Sequence, residues 1–469
     1  MNSRRQITLE EWDARYERVR AGRADWPAYV GPLGRHVADG DLRLVEFLFD
    51  DSPAALRLWN FLLTEELRLN QARAAGKRVV GAMKDLGTVP VMAYSLPGLV
   101  TFYPDGAWWV PCIMAMRSGD LEIADRLGVD ESFCPVRALL GAFVQQAHFP
   151  RPDLLVCSVG ATCDDFSAIA QRLNGLGFPI LWWEIPHRRR PEADEPAVTL
   201  PGGFVAPRTQ VEFVRAELAR VAEALERLAG AALDAPRLAE GIAQANLFRA
   251  LLDELRVLAY TADPCPMGAL EMLIVEMLAI HFCSDRAEAI AVVRDLLEEV
   301  RARVRAGAGV LPKGAARVFW VNPVADLPVM NLLEQCGGRL CGTEFLFCHA
   351  LDEIPTDVEP MEALARMALA DPMVGSSADR ADRICRDAVR FGAQAVVISR
   401  IPGASHCAGE SSVIRQAVAA RLGIPVVEIE VPPVSDSVAP TLRTRLEALV
   451  ESARGGKHGR THRQPPDSR

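Results

Sequence analysis

The stretch CSVGATCDDFSAIAQRLNGLGFPILWWEIP, Cys157–Pro186, decides how the fold is read. It runs as an apolar strand, a short loop that closes on Cys163, a helix, a turn of Gly and Pro, and a second apolar strand. Roughly 240 residues later SRIPGASHCAGESSVIRQAVAARLGIPVVEIEVP, Ser399–Pro432, repeats the unit with Cys407 in the place of Cys163. Cys163 precedes the turn proline Pro179 by 16 residues, and Cys407 precedes Pro425 by 18. Short, continuously apolar runs joined by helices are the pattern of parallel strands buried on both faces. Ligands of such sheets bind beyond the carboxyl ends of the strands. Each cysteine follows a strand and precedes a helix, so each falls on that rim. The expectation is an α/β chain of two parallel-sheet lobes whose rims share one cleft.

Outward from these units the chain divides into five parts. Residues 1–75 read as a helical N-terminal region, with LVEFLFDDSPAALRLWNFLLTEELRLNQARAAG its clearest amphipathic run. Residues 76–208 form the first lobe. There KRVVGAMKD and TVPVMAYSL read as short β-like segments, and GDLEIADRLGVDESFCPVRALLGAFVQQA as helical at both ends around Cys134. The lobe closes with a connector rich in Pro and Gly, residues 190–208. Residues 209–310 keep apolar spacings of three and four and read as a helical insertion for packing and subunit contact. The strand pattern restarts at Ala316 within a second lobe, 311–454, and residues 455–469 read as a disordered tail without core-forming side chains.

Composition narrows the function. Of 469 residues half are apolar, enough for large cores. The net charge of −9 gives no electrostatic reason to expect nucleic acid. No uninterrupted apolar run of about 18 residues is present, so no membrane span is expected. MNSRRQITLEEWDARYERVR carries charge where an export signal needs an apolar core, so a cytoplasmic protein is expected. In that compartment the 11 cysteines are free thiols or metal ligands rather than disulfides. Cys112, Cys265, Cys283, Cys336, Cys341, Cys348 and Cys385 read as inert packing residues, and so does Cys157, inside a strand.

Cys163 and Cys407 are different, because each lies in a loop of small residues at a helix start. The positive end of a helix favours the thiolate, which is the form that ligates metal. Cys134 in SFCPVRALLG repeats the arrangement, with Pro135 set for a first helical position. Three thiolates could hold three irons of a cubane and leave the fourth iron open. Zinc is the rival, although the chain has no CxxC pair. The bland alternative is a duplicated packing cysteine. No GxxxxGK[ST] phosphate loop, no GxGxxG after a strand and no GxSxG elbow is present. Asp164 and Asp165 suit a helix N-terminus without further function. His406 reads either as a proton donor or as a structural loop residue. The basic cluster His187, Arg188, Arg189 and Arg190 reads either as a contact for coenzyme phosphates or as a solvated turn.

The order FCPVRALLG, then CDDFSAIAQRL and IPH, then VVISRIPGASHCAGESSVIRQAV, GIPVVEIE and TLRTRLEALVE resembles the 2-hydroxyacyl-CoA dehydratase and benzoyl-CoA reductase family over residues 76–452. The likeness is to a D-component-like iron–sulfur subunit. It implies two Rossmann-like lobes with additional helical segments and a [4Fe–4S] cluster on Cys134, Cys163 and Cys407. It further implies a related second subunit or a homodimer, and a separate ATP-hydrolysing iron–sulfur activator that delivers single electrons. The acyl-CoA substrate is then dehydrated through a ketyl radical, or its aromatic ring is reduced. In that setting His187, Arg188 and Arg189 would meet the CoA phosphates and His406 would act as a catalytic proton donor. One branch of the likeness implies a double-cubane [8Fe–9S] cluster and small-molecule substrates, and a non-catalytic partner subunit is a further alternative. The chain departs from the family at VVGAMKDLGTVPVMAYSL, which keeps VPV without the usual Pro-Glu step.

Overall fold

The repeated unit takes shape as two four-stranded parallel sheets of one topology. The computed structural model describes residues 4–6, 9–27, 47–84, 87–104, 120–146, 149–404 and 409–455. In the first lobe the strands are β1 (Arg78–Met83), β2 (Leu99–Phe102), β3 (Leu154–Gly160) and β4 (Ile180–Ile185), in spatial order β2-β1-β3-β4. The second lobe has β5 (Ala316–Val321), β6 (Gly338–Glu344), β7 (Ala395–Arg400) and β8 (Val426–Glu430), in order β6-β5-β7-β8. Every pairing is parallel, with Val80 opposite Leu154 and Leu155 opposite Ile180 in one sheet, and Val318 opposite Ala395 and Val396 opposite Val426 in the other. The strand that feeds each cysteine loop is therefore the third in its sheet. It lies between two neighbours, which is why its residues are almost all apolar.

The segment TVPVMAYSL corrects a sequence expectation. Val89–Tyr94 is a short helix with Pro90 in its first turn, and the second strand begins at Leu99. Six buried apolar residues satisfy a strand or a helix equally well by pattern alone. The proline favours the helix start, where its missing N–H leaves nothing unpaired. The connector also holds a small antiparallel hairpin of Ala197–Thr199 with Val205–Pro207. Residues 456–469, expected to be a disordered tail, lie outside the described residues.

The four helices Arg208–Ala229, Ala235–Thr261, Ala269–His281 and Arg286–Arg305 bring the lobes together. The long Ala235–Thr261 helix packs on Val89–Tyr94 of the first lobe and on β6 of the second. A buried polar knot fixes that second contact. Glu276 is fully buried and accepts from Arg256 Nε at 2.6 Å, Tyr260 Oη at 2.8 Å and Thr343 Oγ1 of β6 at 2.6 Å. Removing the carboxylate deprives a buried guanidinium of its charged partner, which costs about 3–5 kcal/mol. Glu276→Ala should lower the urea midpoint accordingly, and Glu276→Gln, which keeps two acceptors' worth of oxygen and amide, should fall less. Equal midpoints for Glu276→Ala and the parent chain would show that the knot contributes nothing.

Candidate functional site at the meeting of the two rims

The Asp164–Gly175 helix follows β3 directly, and Cys163 is its N-cap residue. Cys134 stands just before the turn Pro135–Arg137, which leads into the Ala138–Gln145 helix. Asp165, in the first turn after Cys163, joins the two. Its Oδ1 accepts from the Cys134 N–H at 3.4 Å and its Oδ2 faces the Cys163 Sγ at 3.6 Å. Cys163 is 8% exposed and Cys134 half-buried.

The second lobe reaches the same place. Gly403, in the loop that leads to Cys407, has φ +80°, and a Cβ there would lie 2.3 Å from the Phe133 carbonyl oxygen and 3.1 Å from the Cys134 nitrogen. The loop can approach Cys134 this closely because the residue is glycine. Cys407 and His406 themselves lie outside the described residues; Ala404 and Gly409 on either side of them are described. Glu410, next in the chain, is held by the Ser377 hydroxyl at 3.0 Å and by the buried Arg380. Arg380 Nε also meets Glu344 at 3.0 Å, at the end of β6, and its Nη2 donates to Asn322, just past β5. Asn322, at φ +67°, donates in turn to the Ser399 carbonyl of β7 at 2.7 Å. One guanidinium thus gathers the carboxyl ends of three strands and the exit of the Cys407 loop.

Two more buried charges cross between the lobes. Lys84, at the end of β1, places Nζ 3.2 Å from Asp371 Oδ2, and both side chains are nearly inaccessible. Arg188, after β4, donates to the Leu369 carbonyl at 2.6 Å and stacks its guanidinium 4.1 Å from the Phe204 ring centroid. This corrects the expectation that Arg188 faces coenzyme phosphates: it is 4% exposed and caps the end of the Pro360–Leu369 helix from inside the protein. Its neighbours differ. His187 and Arg189 are exposed, and Arg189 is paired with Glu195. Arg190 opens onto a groove of about 1050 Å³ lined also by Phe204, Asp379, Asp382, Arg386 and Arg421.

The electrostatics at Cys163 reverse a second expectation. Burial, and after it the Asp165 carboxylate, push its thiol up to about 12, against the N–H groups of Phe166 and Asp165 that favour the thiolate. The helix terminus is present, but removal from water outweighs it. Cys157, Cys265, Cys283, Cys341 and Cys385 are buried and Cys336 is half-buried, as packing residues should be. Cys112 and the side chain of Cys348 lie outside what is described. Among the described residues no group of three or more His, Cys, Asp and Glu gathers as a metal site. The donor chemistry still suits a thiolate-bound cluster, since two cysteines share one carboxylate and the third cysteine's loop abuts them through Gly403. Sequence reasoning passed over Gly403, Glu410, Arg380, Lys84 and Asp371. The one visible signal was a lone lysine closing the apolar run VVGAMK.

A family model for the 2-hydroxyglutaryl-CoA dehydratase D-component matches residues 91–453. The chain belongs to that family, whose members are dehydratase components of acyl-CoA dehydratase systems. Comparison with curated proteins finds no match. Among the described residues no helix is long and apolar enough to cross a membrane.

Gly403→Ala tests the approach of the rims. The added Cβ meets backbone rather than a movable side chain, and the left-handed conformation resists it, costing about 1–3 kcal/mol. Circular dichroism should be retained, while anaerobic iron retention falls at least several-fold. Full retention of iron would show that the Cys407 loop need not touch Cys134.

Proposed function

We propose that the chain is the iron–sulfur subunit of an ATP-activated acyl-CoA dehydratase, with Cys134, Cys163 and Cys407 as the cluster ligands. The observation that carries this reading is the convergence of Cys134, Cys163 and the Gly403 loop where the two rims meet. A [4Fe–4S] cluster, when bound there, supplies single electrons to a thioester carbonyl. The chain supplies the rest. Its two rims keep water from the ligand side, since Cys163, Lys84 and Asp371 are all buried. Arg380 and Glu410 hold the exit of the Cys407 loop at a fixed place relative to β5, β6 and β7.

In this reading His406 delivers a proton at the leaving hydroxyl, beside the third ligand. His187 and Arg189 meet the phosphates of the coenzyme, with the groove beside Arg190 taking its length. Arg189 can exchange Glu195 for a phosphate at small cost, because a solvent-exposed ion pair contributes only about 0–1 kcal/mol. The chain has no phosphate loop for ATP, which fits an acceptor of electrons from a separate activator.

Anaerobic iron and acid-labile sulfide analysis, with EPR of the dithionite-reduced chain, tests the cluster. About four irons per chain support the three-cysteine cubane, and about eight point to the double-cubane form. None after reconstitution overturns the reading in favour of a scaffold subunit. Cys163→Ala and Cys407→Ala should each lose the cluster while the far-ultraviolet dichroism is kept. Unchanged iron in either variant removes that cysteine from the ligand set.

A further inference from the structure

Arg249 lies in the long helix that bridges the lobes, and it is 1% exposed. Its Nη1 donates to the Asp352 carbonyl at 2.7 Å. Its Nε and Nη2 have no hydrogen-bond partner among the described residues. Several other buried arginines leave only an Nε unmatched, and Arg249 alone among them also leaves a terminal nitrogen so. The nearby Asp352 carboxylate does not neutralise it, because Arg383 takes both carboxylate oxygens, at 2.6 and 3.0 Å. Burial lowers the Arg249 pKa, the direction expected for a cation without a close counter-charge.

The place is as telling as the charge. Around the guanidinium stand Gly87 from the loop after β1, Ala350 from the loop after β6, and Tyr103, which follows β2 and accepts the Gly87 N–H. These are carboxyl-end positions of both sheets, on the rim that carries Lys84 and Cys163. Gly87 has φ +114°, and a Cβ there would come 2.6 Å from Nη2. Glycine and alanine thus keep bulk away from this nitrogen.

We propose that the Nε and Nη2 edge of Arg249 binds a carboxylate at the far end of the substrate's acyl group. That edge presents two parallel N–H donors, the fork that matches both oxygens of a carboxylate. The phosphates of the coenzyme share oxyanion chemistry, but they are a polyanionic group suited to an open groove, and Arg249 is interior. An unpaired buried guanidinium is costly, and an anionic ligand offsets that cost. The proposal rests on the acyl-CoA reading above. Its test uses neither iron nor turnover, so the two can fail separately.

The experiment is thermal unfolding of the full-length chain with glutarate, neutral glutaramide or inorganic phosphate, for the parent chain, Arg249→Lys and Arg249→Met. Glutarate should raise the parent Tm and glutaramide should not. Arg249→Lys should weaken glutarate binding at least tenfold, and Arg249→Met should abolish the shift. Without ligand Arg249→Met should melt at or above the parent temperature, because it removes an uncompensated charge. A melting temperature well below the parent would make Arg249 a structural residue and overturn the proposal. Protection by glutarate that survives in Arg249→Met would place the site elsewhere and overturn it. Arg249-dependent protection by phosphate without protection by glutarate would assign the edge to the coenzyme and overturn the carboxylate.

Discussion

The structure depends on charges that neither lobe could bury alone. Lys84 of the first lobe is matched by Asp371 of the second, and Arg188 of the first by carbonyl groups at the end of a second-lobe helix. A buried ion that loses its partner costs several kcal/mol. The lobes therefore cannot slide past one another by even a few ångströms without uncovering unpaired charge. The Gly403 contact adds a steric limit in the same place, since backbone meets backbone there. Fixed rims are what a site assembled from both lobes requires, because ligands placed on separate sheets keep their spacing only if the sheets do.

The repeat was legible because parallel strands buried on both faces leave a strong mark. PDLLVCSV and AQAVVIS are nearly pure apolar runs, and each proved to be the third strand of its sheet. The rim positions of Cys134 and Cys163 followed from that pattern. Val89–Tyr94 was misread because the same apolar density serves a buried helix. Arg188 was misread for a related reason. A basic cluster in a Pro-rich connector reads as one surface, but the chain turns one of its arginines inward onto Phe204 and leaves its neighbours in water.

Cys163 shows why local motifs mislead about electrostatics. Its helix N-terminus is real, and two backbone N–H groups favour its thiolate. The sequence displays that favourable part, which is local. The opposing part comes from burial between packed segments and from Asp165, and it wins. Asp165 also has a second role that sequence could not display, since the same carboxylate that opposes the Cys163 thiolate holds the backbone of Cys134.

The middle helices carry the last point. Their spacing of apolar residues reads as packing, and most of their buried side chains are just that. An amphipathic pattern marks which face is covered but not what covers it. On the Ala235–Thr261 helix Arg249 and Arg256 both fall on the buried face. Arg256 meets Glu276 and belongs to the framework, whereas Arg249 keeps one edge of its guanidinium without a protein partner among the described residues. Two arginines two turns apart on one helix thus have different meanings, and only the partners reveal it. A helix that spans both lobes can deliver such a side chain to the rim more rigidly than a loop, because packing along its whole length fixes the position of its Cα atoms.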